Sequence, residues 1–565
     1  MRFPSLALLG VSLFSLTANA LPKITRTGKY LYDESGSRFY IKGVAYQPQG
    51  ELAESSDANT ANGGFPEPSS FHDPLSSPQN CTRDLPYLKQ LGVNSIRVYS
   101  VNSSLNHDEC MKTFSDAGIY LLLDVSLPLN GSIDRSSPSW STNLLNEYIS
   151  TIDAFRNYDN VLGFNIGNEV ITTVGNTNAA PYVKAAARDV KAYLKSVNSN
   201  ALVGYSATDG DADFRNSLAE YMTCGAEDLT VDLYGLNNYE WCGDENLNSS
   251  NWNTITQGFS GIPVATYMSE FGCIFRPPRL WTEVAALFSS PVSDVFSGGM
   301  AFSYFPTSDG YGMVTISSDS NTITTSDDFT RLSTQYNATT PPNSPSKGSV
   351  QAGTTECPSE SASLIASTTL PPTPNEAVCN CINEKSLACQ LNQASANSPT
   401  IVGDLLNYAC SLLGSGTNGT ASCDPIGGNG TSGEYGELSY CSPAIKLSYA
   451  MSAYYEFNPI DSSCDFSGNA TLSPNRPNTA SDASSAAQQC LSSEPSGGVF
   501  TPTASSSGAS NTGTASGSST SPASSSGSSS GGSNNSGALP SLNIGAGAGA
   551  LGLMGAVVGG LMVAL

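Results

Sequence analysis

The chain has 565 residues and a formal net charge of −24, yet only 13% of its residues are charged, while tyrosine alone numbers 25. So acidic a balance excludes nucleic acid and anionic membrane surfaces as partners. A weakly charged chain rich in hydroxyl-bearing rings suits a neutral, hydroxyl-rich ligand better than an ionic one.

Residues 1–20 have the layout of a secretory signal: Arg2, an apolar stretch from Leu6 to Leu16, and a small-residue cleavage site at Ala18-Asn19-Ala20. All 14 cysteines lie beyond it and read as disulfides of an oxidising compartment. Nine Asn-x-Ser/Thr sequons, among them Asn80, Asn102, Asn130, Asn248 and Asn337, fit the same compartment.

From Tyr40 to Phe305, short apolar runs alternate with amphipathic stretches. The strand-like runs are Tyr40–Gln47, Ser95–Ser100, Ile119–Val125, Val161–Glu169, Ala201–Ala207, Asp232–Tyr239, Pro263–Glu270 and Gly298–Phe305. Helix-like stretches, such as Thr82–Leu91, Leu144–Asn157, Tyr182–Val197 and Leu280–Phe288, lie between them. The pattern predicts an α/β fold, a (β/α)8 barrel over residues 21–338.

Two of these runs are apolar enough to be buried on both faces, and each stops on an acid: Gly167-Asn168-Glu169 and Ser269-Glu270-Phe271. Parallel barrels place their chemistry at the C-terminal ends of strands. Two carboxylates there suit cleavage of a glycosidic bond, one protonating the leaving oxygen and the other attacking or stabilising the anomeric carbon. The competing reading of each is an ordinary surface acid. Asn168 fits the first reading, since an amide can donate to a sugar 2-hydroxyl without carrying charge. Arg97, Tyr99, Asp124 and Asn237-Asn238-Tyr239 also fall at strand ends and are expected at the same mouth, with ordinary packing as the alternative. Arg97 there would favour an ionised carboxylate.

Other chemistries lack their residues. There are two histidines, His72 and His107, and no Gly-x-Ser-x-Gly elbow, so a serine hydrolase is disfavoured. Phosphate-loop, dinucleotide and helical zinc motifs are missing, and neither a cofactor nor a metal is implied.

Residues 339–378 read as a Pro/Ser-rich linker. Eight cysteines then crowd into residues 379–490, with helix-like segments around Cys410 and from Tyr449 to Tyr455. So small a unit needs covalent staples, and a disulfide-rich, mainly helical module is expected. Zinc is the weaker alternative, because Cys379-Asn380-Cys381 is not finger spacing and no histidine lies here. Residues 491–537 are mostly Ser, Gly, Thr, Ala and Pro and read as a stalk without a core. Residues 538–565 end in an uncharged Gly/Ala/Leu/Val run behind Asn534-Asn535-Ser536-Gly537. That is the layout of a glycosylphosphatidylinositol signal, with Asn535 the expected attachment residue and Asn534 and Ser536 its alternatives. A tail-anchored helix is the competing reading.

Several stretches carry a resemblance: Cys81-Thr-Arg-Asp-Leu-Pro-Tyr-Leu-Lys-Gln-Leu-Gly-Val-Asn-Ser-Ile-Arg-Val-Tyr99, Gly167-Asn-Glu169, Gly204-Tyr-Ser206, Gly235-Leu-Asn-Asn-Tyr-Glu-Trp-Cys242, Ser269-Glu-Phe-Gly-Cys273, Arg279-Leu-Trp-Thr-Glu-Val284 and Phe296-Ser-Gly-Gly299. They resemble the fungal β-1,3-glucanosyltransferases of glycoside hydrolase family 72. Residues 379–490, with Cys464-Asp-Phe-Ser-Gly468 and a last Cys490, resemble the cysteine-rich carbohydrate-binding module of family 43. The resemblance implies a retaining transglycosidase with Glu169 as acid/base and Glu270 as nucleophile. It implies β-1,3-glucan chains as donor and acceptor, no nucleotide sugar, and a monomer held at the outer face of the plasma membrane by a lipid anchor. It also implies the pairs Cys81–Cys110, Cys224–Cys357 and Cys242–Cys273. Tyr99, Tyr239, Tyr304 and Tyr311 are candidate stacking platforms for sugar rings. The chain departs from the family at Asn165-Ile166, where Phe and a small residue are usual, and at Phe302-Ser303-Tyr304, where Tyr-x-Tyr is usual. The rival readings are a plain endo-β-1,3-glucanase and a non-catalytic anchored wall-binding protein.

Overall fold

Three short strands, β1 (Thr25–Thr27), β2 (Tyr30–Tyr32) and β3 (Arg38–Phe39), form an antiparallel sheet ahead of the main structure. This is seen in a computed structural model that describes residues 21–51, 70–128, 131–416 and 421–504. The expected signal at 1–20, the sequon at Asn130, the stalk beyond residue 504, Asn535 and the apolar tail lie outside the described residues.

Eight parallel strands then close on themselves: β4 (Ile41–Ala45), β5 (Ser95–Val98), β6 (Tyr120–Asp124), β7 (Val161–Asn168), β8 (Leu202–Thr208), β9 (Leu233–Asn237), β10 (Ala265–Phe271) and β11 (Phe296–Ala301). The closed order is β10-β11-β4-β5-β6-β7-β8-β9, with β9 hydrogen-bonded back to β10. Each expected run coincides with one strand to within a few residues. The largest displacement is at β11, which stops at Ala301 although the apolar run continues to Phe305. Beyond it the backbone ties into neighbouring strands instead, Phe302 N–H to Phe271 O at 2.9 Å and Tyr304 N–H to Ala45 O at 2.9 Å.

The barrel interior is layered by polarity. At its N-terminal end Ile41, Leu122, Leu162, Leu202, Leu233 and Met300 pack with Leu31 of β2, so the small sheet plugs the bottom. Above that layer the inward positions turn polar: Arg97, Asn165, Ser206 and Ser269 are all fully buried. Buried polar groups are costly unless paired, so this layer predicts a network of internal bonds.

The crossover helices are α1 (Pro78–Leu91), α2 (Asp108–Ser115), α3 (Thr142–Phe155), α4 (Ala180–Ser196), α5 (Ala212–Thr223), α6 (Trp252–Phe259), α7 (Glu283–Leu287) and α8 (Asp327–Ala338). The first shows how local sequence sets the boundaries. Pro78 suits the first turn, where its missing N–H is not needed. Gly92 ends the helix in the left-handed region, φ 77°, at no steric cost. A large apolar cluster between the helices and the outer strand faces forms the main core.

The segment after α8 has a linker's composition but lies fastened along the barrel. Tyr40 and Tyr32 hydroxyls donate to Pro342 O (3.1 Å) and Pro345 O (2.9 Å), and Arg38 to Ser344 O (2.6 Å). Farther on, helices α9 (Glu376–Lys385), α10 (Gln393–Ala396), α11 (Pro399–Gly416), α12 (Pro443–Phe457) and α13 (Ala480–Leu491) surround a second, smaller core. Both helix-like segments read from the sequence lie here, in α11 and α12. The barrel contains Cys81–Cys110 and Cys242–Cys273, and Cys224–Cys357 ties the segment after α8 back to it. The second unit contains Cys379–Cys441, Cys381–Cys490, Cys389–Cys464 and Cys410–Cys423, and no cysteine is free.

Candidate active site

The polar interior layer rises to a pair of acids at the C-terminal mouth. Glu169 follows the last residue of β7 and Glu270 is the penultimate residue of β10. Both strands lose regular register there: β7 shifts against β8 between Asn165 and Asn168, and β10 shifts against β9 between Met268 and Glu270. Such irregularities re-aim the side chains that follow. Glu169 itself has φ 49°, a left-handed conformation that a non-glycine residue adopts only when its surroundings enforce it. Its N–H donates to Ser206 O at 2.8 Å, and its own carbonyl accepts from Arg135 Nη2 at 2.8 Å.

Glu270 is held from three sides. Oε1 accepts from the Tyr99 hydroxyl at 2.8 Å and from Arg97 Nη1 at 3.4 Å, and Oε2 accepts from the Tyr239 hydroxyl at 2.7 Å. Glu169 has one side-chain donor, Asn237 Nδ2, 2.8 Å from Oε1. Arg97 is fully buried, and its guanidinium spans Asp124 at 3.2 and 2.8 Å as well as Asn168 Oδ1 at 2.9 Å. Asn168 Oδ1 also accepts from Asn237 Nδ2 at 3.2 Å, which leaves its Nδ2 as the donor it can offer a ligand. The two acids are thus joined through Arg97, Asn168 and Asn237.

The donors divide the acids electrostatically. Burial pushes Glu270 up to about 7; Arg97 pulls it down, the charge of Glu169 pushes it further up, and the two tyrosine hydroxyls lower it. Burial also raises Glu169, with the Asn237 bond, Arg97 and Arg135 acting against it. Protonating Glu169 removes its repulsion of Glu270. The state with Glu270 ionised and Glu169 protonated therefore places the charge where three donors face it. Burial also pushes both tyrosines well above their ordinary range, so they remain hydroxyl donors. Hydrogen bonds to the ionised form lower a carboxyl pKa. Tyr239→Phe removes one, so the acid limb of the kcat/KM–pH profile should move to higher pH. A profile unchanged from wild type would separate this bond from catalysis.

Not every expected residue lines the opening. Arg97 and Asp124, expected to touch substrate, lie beneath the acids: Asp124 is 2% exposed, and both its oxygens are taken by Arg97 and Asn165 (2.7 Å). Arg97 bonds Glu270 and Asn168 from below, and Asp124 holds Arg97. Tyr304, expected as a stacking platform, is fully buried with its ring against Tyr46 (5.5 Å between centroids) and Phe305 (4.9 Å). Phe302 occupies the rim instead, edge-on to Tyr99 (6.4 Å), Tyr239 (6.4 Å) and Tyr311 (5.1 Å). Asn238 faces away, bonded to Trp252 Nε1 at 2.7 Å. His107 is structural, 2.8 Å from Asp73 and packed on Phe155. Sequence reasoning missed Arg135, in the loop between β6 and α3, which no motif or periodicity marks. Among the described residues, no group of three or more His, Cys, Asp or Glu side chains could hold a metal ion.

Residues 13–340 match the glucanosyltransferase family of glycoside hydrolase family 72, and residues 387–471 match the X8 domain. The chain is 42% identical to 1,3-beta-glucanosyltransferase gas1 of Schizosaccharomyces pombe over 84% of this chain and 82% of that protein. It is 39% identical to 1,3-beta-glucanosyltransferase GAS2 of Saccharomyces cerevisiae over 77% of this chain and 76% of that one. The solved structure of Saccharomyces cerevisiae Gas2p in complex with laminaripentaose superposes with a TM-score of 0.71 at 36% identity, covering 80% of this chain and 98% of that one. The chain belongs to the glycoside hydrolase family 72 glucanosyltransferases.

Proposed function

We propose that this 1,3-β-glucanosyltransferase lengthens β-1,3-glucan by two displacements at one carbon, with Glu270 as nucleophile and Glu169 as acid and then base. The observation that carries the assignment is the asymmetry of donors: three on Glu270, one on Glu169. In the first step a Glu270 oxygen attacks C1 of a donor sugar. The C1–O bond breaks, and the departing oxygen takes the Glu169 proton. Oε2, with one donor rather than two, keeps the freer lone pair for that attack. In the second step the non-reducing-end hydroxyl of another glucan attacks C1, Glu169 takes its proton, and Glu270 leaves as a carboxylate. One glycosidic bond replaces another, so the reaction needs no nucleotide sugar. Asn168 Nδ2 is placed to donate to the 2-hydroxyl, and the rings of Tyr99, Tyr239, Phe302 and Tyr311 offer faces and edges to the sugar.

The same reading divides the chain into a catalytic domain at 21–338, a tie at 339–378, a cysteine-rich module at 379–490, a stalk at 491–537 and a removed tail at 538–565. Attachment of a glycosylphosphatidylinositol at Asn535 would place the enzyme at the outer face of the plasma membrane, beside the wall glucan. A retaining route requires a covalent ester. Brief incubation with a 2-fluoro-substituted β-glucoside should add one sugar mass to the peptide containing Glu270. Labelling of another residue, or inversion at C1 by NMR, would contradict the assignment.

A further inference from the structure

Away from the mouth, Lys184 of α4 is buried against a disulfide that the mechanism does not use. Its ammonium donates to Tyr221 O at 2.7 Å and Cys224 O at 2.9 Å, at the end of α5. It also lies 3.0 Å from Cys224 Sγ and 3.6 Å from Cys357 Sγ. An ammonium has three protons, so two carbonyls leave one for sulfur. The two half-cystines differ in access. Cys224 is fully buried, whereas Cys357 is half-buried at the end of residues 351–356, all of them exposed.

We propose that Cys224–Cys357 is a thiol-exchange site, at which an external low-molecular-weight thiolate joins Cys357 while Lys184 receives the departing Cys224 thiolate. The incoming sulfur bonds to Cys357 Sγ, the S–S bond breaks, and its electron pair passes to Cys224 Sγ. One disulfide and one thiolate enter and one of each leaves, so no oxidant or net reductant is needed. Exchange is faster when the leaving thiol has a lower pKa, and a neighbouring ammonium lowers it. Burial pushes Lys184 down to about 8, so it carries its charge at neutral pH. Exposure alone does not mark this site. Cys410–Cys423 is also half-buried on both sides, and among the described residues no lysine or arginine donates to its sulfurs.

The alternative is that Lys184 only caps the carbonyls closing α5. The two roles predict opposite signs. Loss of a cap loosens the local fold and speeds attack on the disulfide, whereas loss of a leaving-group partner slows it. The native, folded protein at pH 7 is treated with 2-mercaptoethanol, samples are alkylated, and each disulfide is followed by peptide mass spectrometry. The expected first products are 2-mercaptoethanol on Cys357 and alkylated Cys224, ahead of Cys410 and Cys423. Lys184→Met should slow that step about tenfold, an order-of-magnitude expectation from leaving-group pKa, and leave Cys410–Cys423 unchanged. Attack at Cys224, another disulfide opening first, or a Lys184→Met rate equal to or above wild type would overturn the proposal. Should Lys184→Met not fold, the wild-type rate per external thiolate decides. It should fall as pH rises through 8, and a flat profile contradicts the role given to Lys184.

Discussion

Glu270→Gln should lower turnover of β-1,3-glucan by about 10⁴-fold or more, equivalent to about 5.4 kcal/mol of transition-state stabilisation. An amide has the size of the carboxyl group but neither attacks C1 nor balances an oxocarbenium charge. Glu169→Gln should separate from it by substrate. With ordinary glucan, loss of general acid catalysis costs about 10²–10⁴-fold. With an aryl β-glucoside whose leaving group needs no proton, the first step survives and the ester on Glu270 accumulates. The fold should be intact in both variants, because neither acid anchors the core. Near-wild-type glucan turnover in either variant would move the chemistry elsewhere, and accumulation of the ester in Glu270→Gln would reverse the roles.

The second large effect is at Arg97. Among the described residues it is the one cation paired with two buried acids, Asp124 and Glu270, and removing one partner of a buried ionic cluster leaves uncompensated charge. Arg97→Met should therefore destabilise the barrel by about 3–5 kcal/mol in urea denaturation. It should also raise the pKa of Glu270, because a favourable charge is lost, moving the acid limb of activity to higher pH. Arg97→Lys keeps the charge but not the fork that reaches Asp124, Asn168 and Glu270 together. It should recover more of the stability than of the kcat. A fully stable, fully active Arg97→Met protein would show that the network beneath the acids is dispensable.

How far the sequence alone reveals this site depends on where regular geometry ends. Apolar runs bounded by polar residues place all eight strands, and the two that stop on an acid lead directly to Glu169 and Glu270. What lies just past a strand end is harder to read. The register shifts before Glu169 and Glu270 come from pairing with neighbouring strands, which is not a local property of either run. After Ala301 the alternation of strand faces no longer holds, so Phe302 reaches the rim and Tyr304 the core, the reverse of what residue chemistry favours. Arg97 and Asp124 do sit at strand ends, but their mutual pairing turns them under the acids rather than toward substrate. Arg135 comes from a loop with no pattern at all.

Transfer in place of hydrolysis is what separates this enzyme from a glucanase. In the proposed route the ester on Glu270 faces water at about 55 M, so sugar prevails only where an acceptor is held and oriented. Effective molarities on the order of 10⁵–10⁸ M make that attainable. The direct measurement is a time course with a single reduced β-1,3-glucan oligosaccharide, resolving product sizes from the first per cent of conversion. Products longer than the substrate should appear from the earliest samples, together with the matching short fragment. If only shorter fragments form, even at high oligosaccharide concentration, the enzyme is a hydrolase and not a transferase.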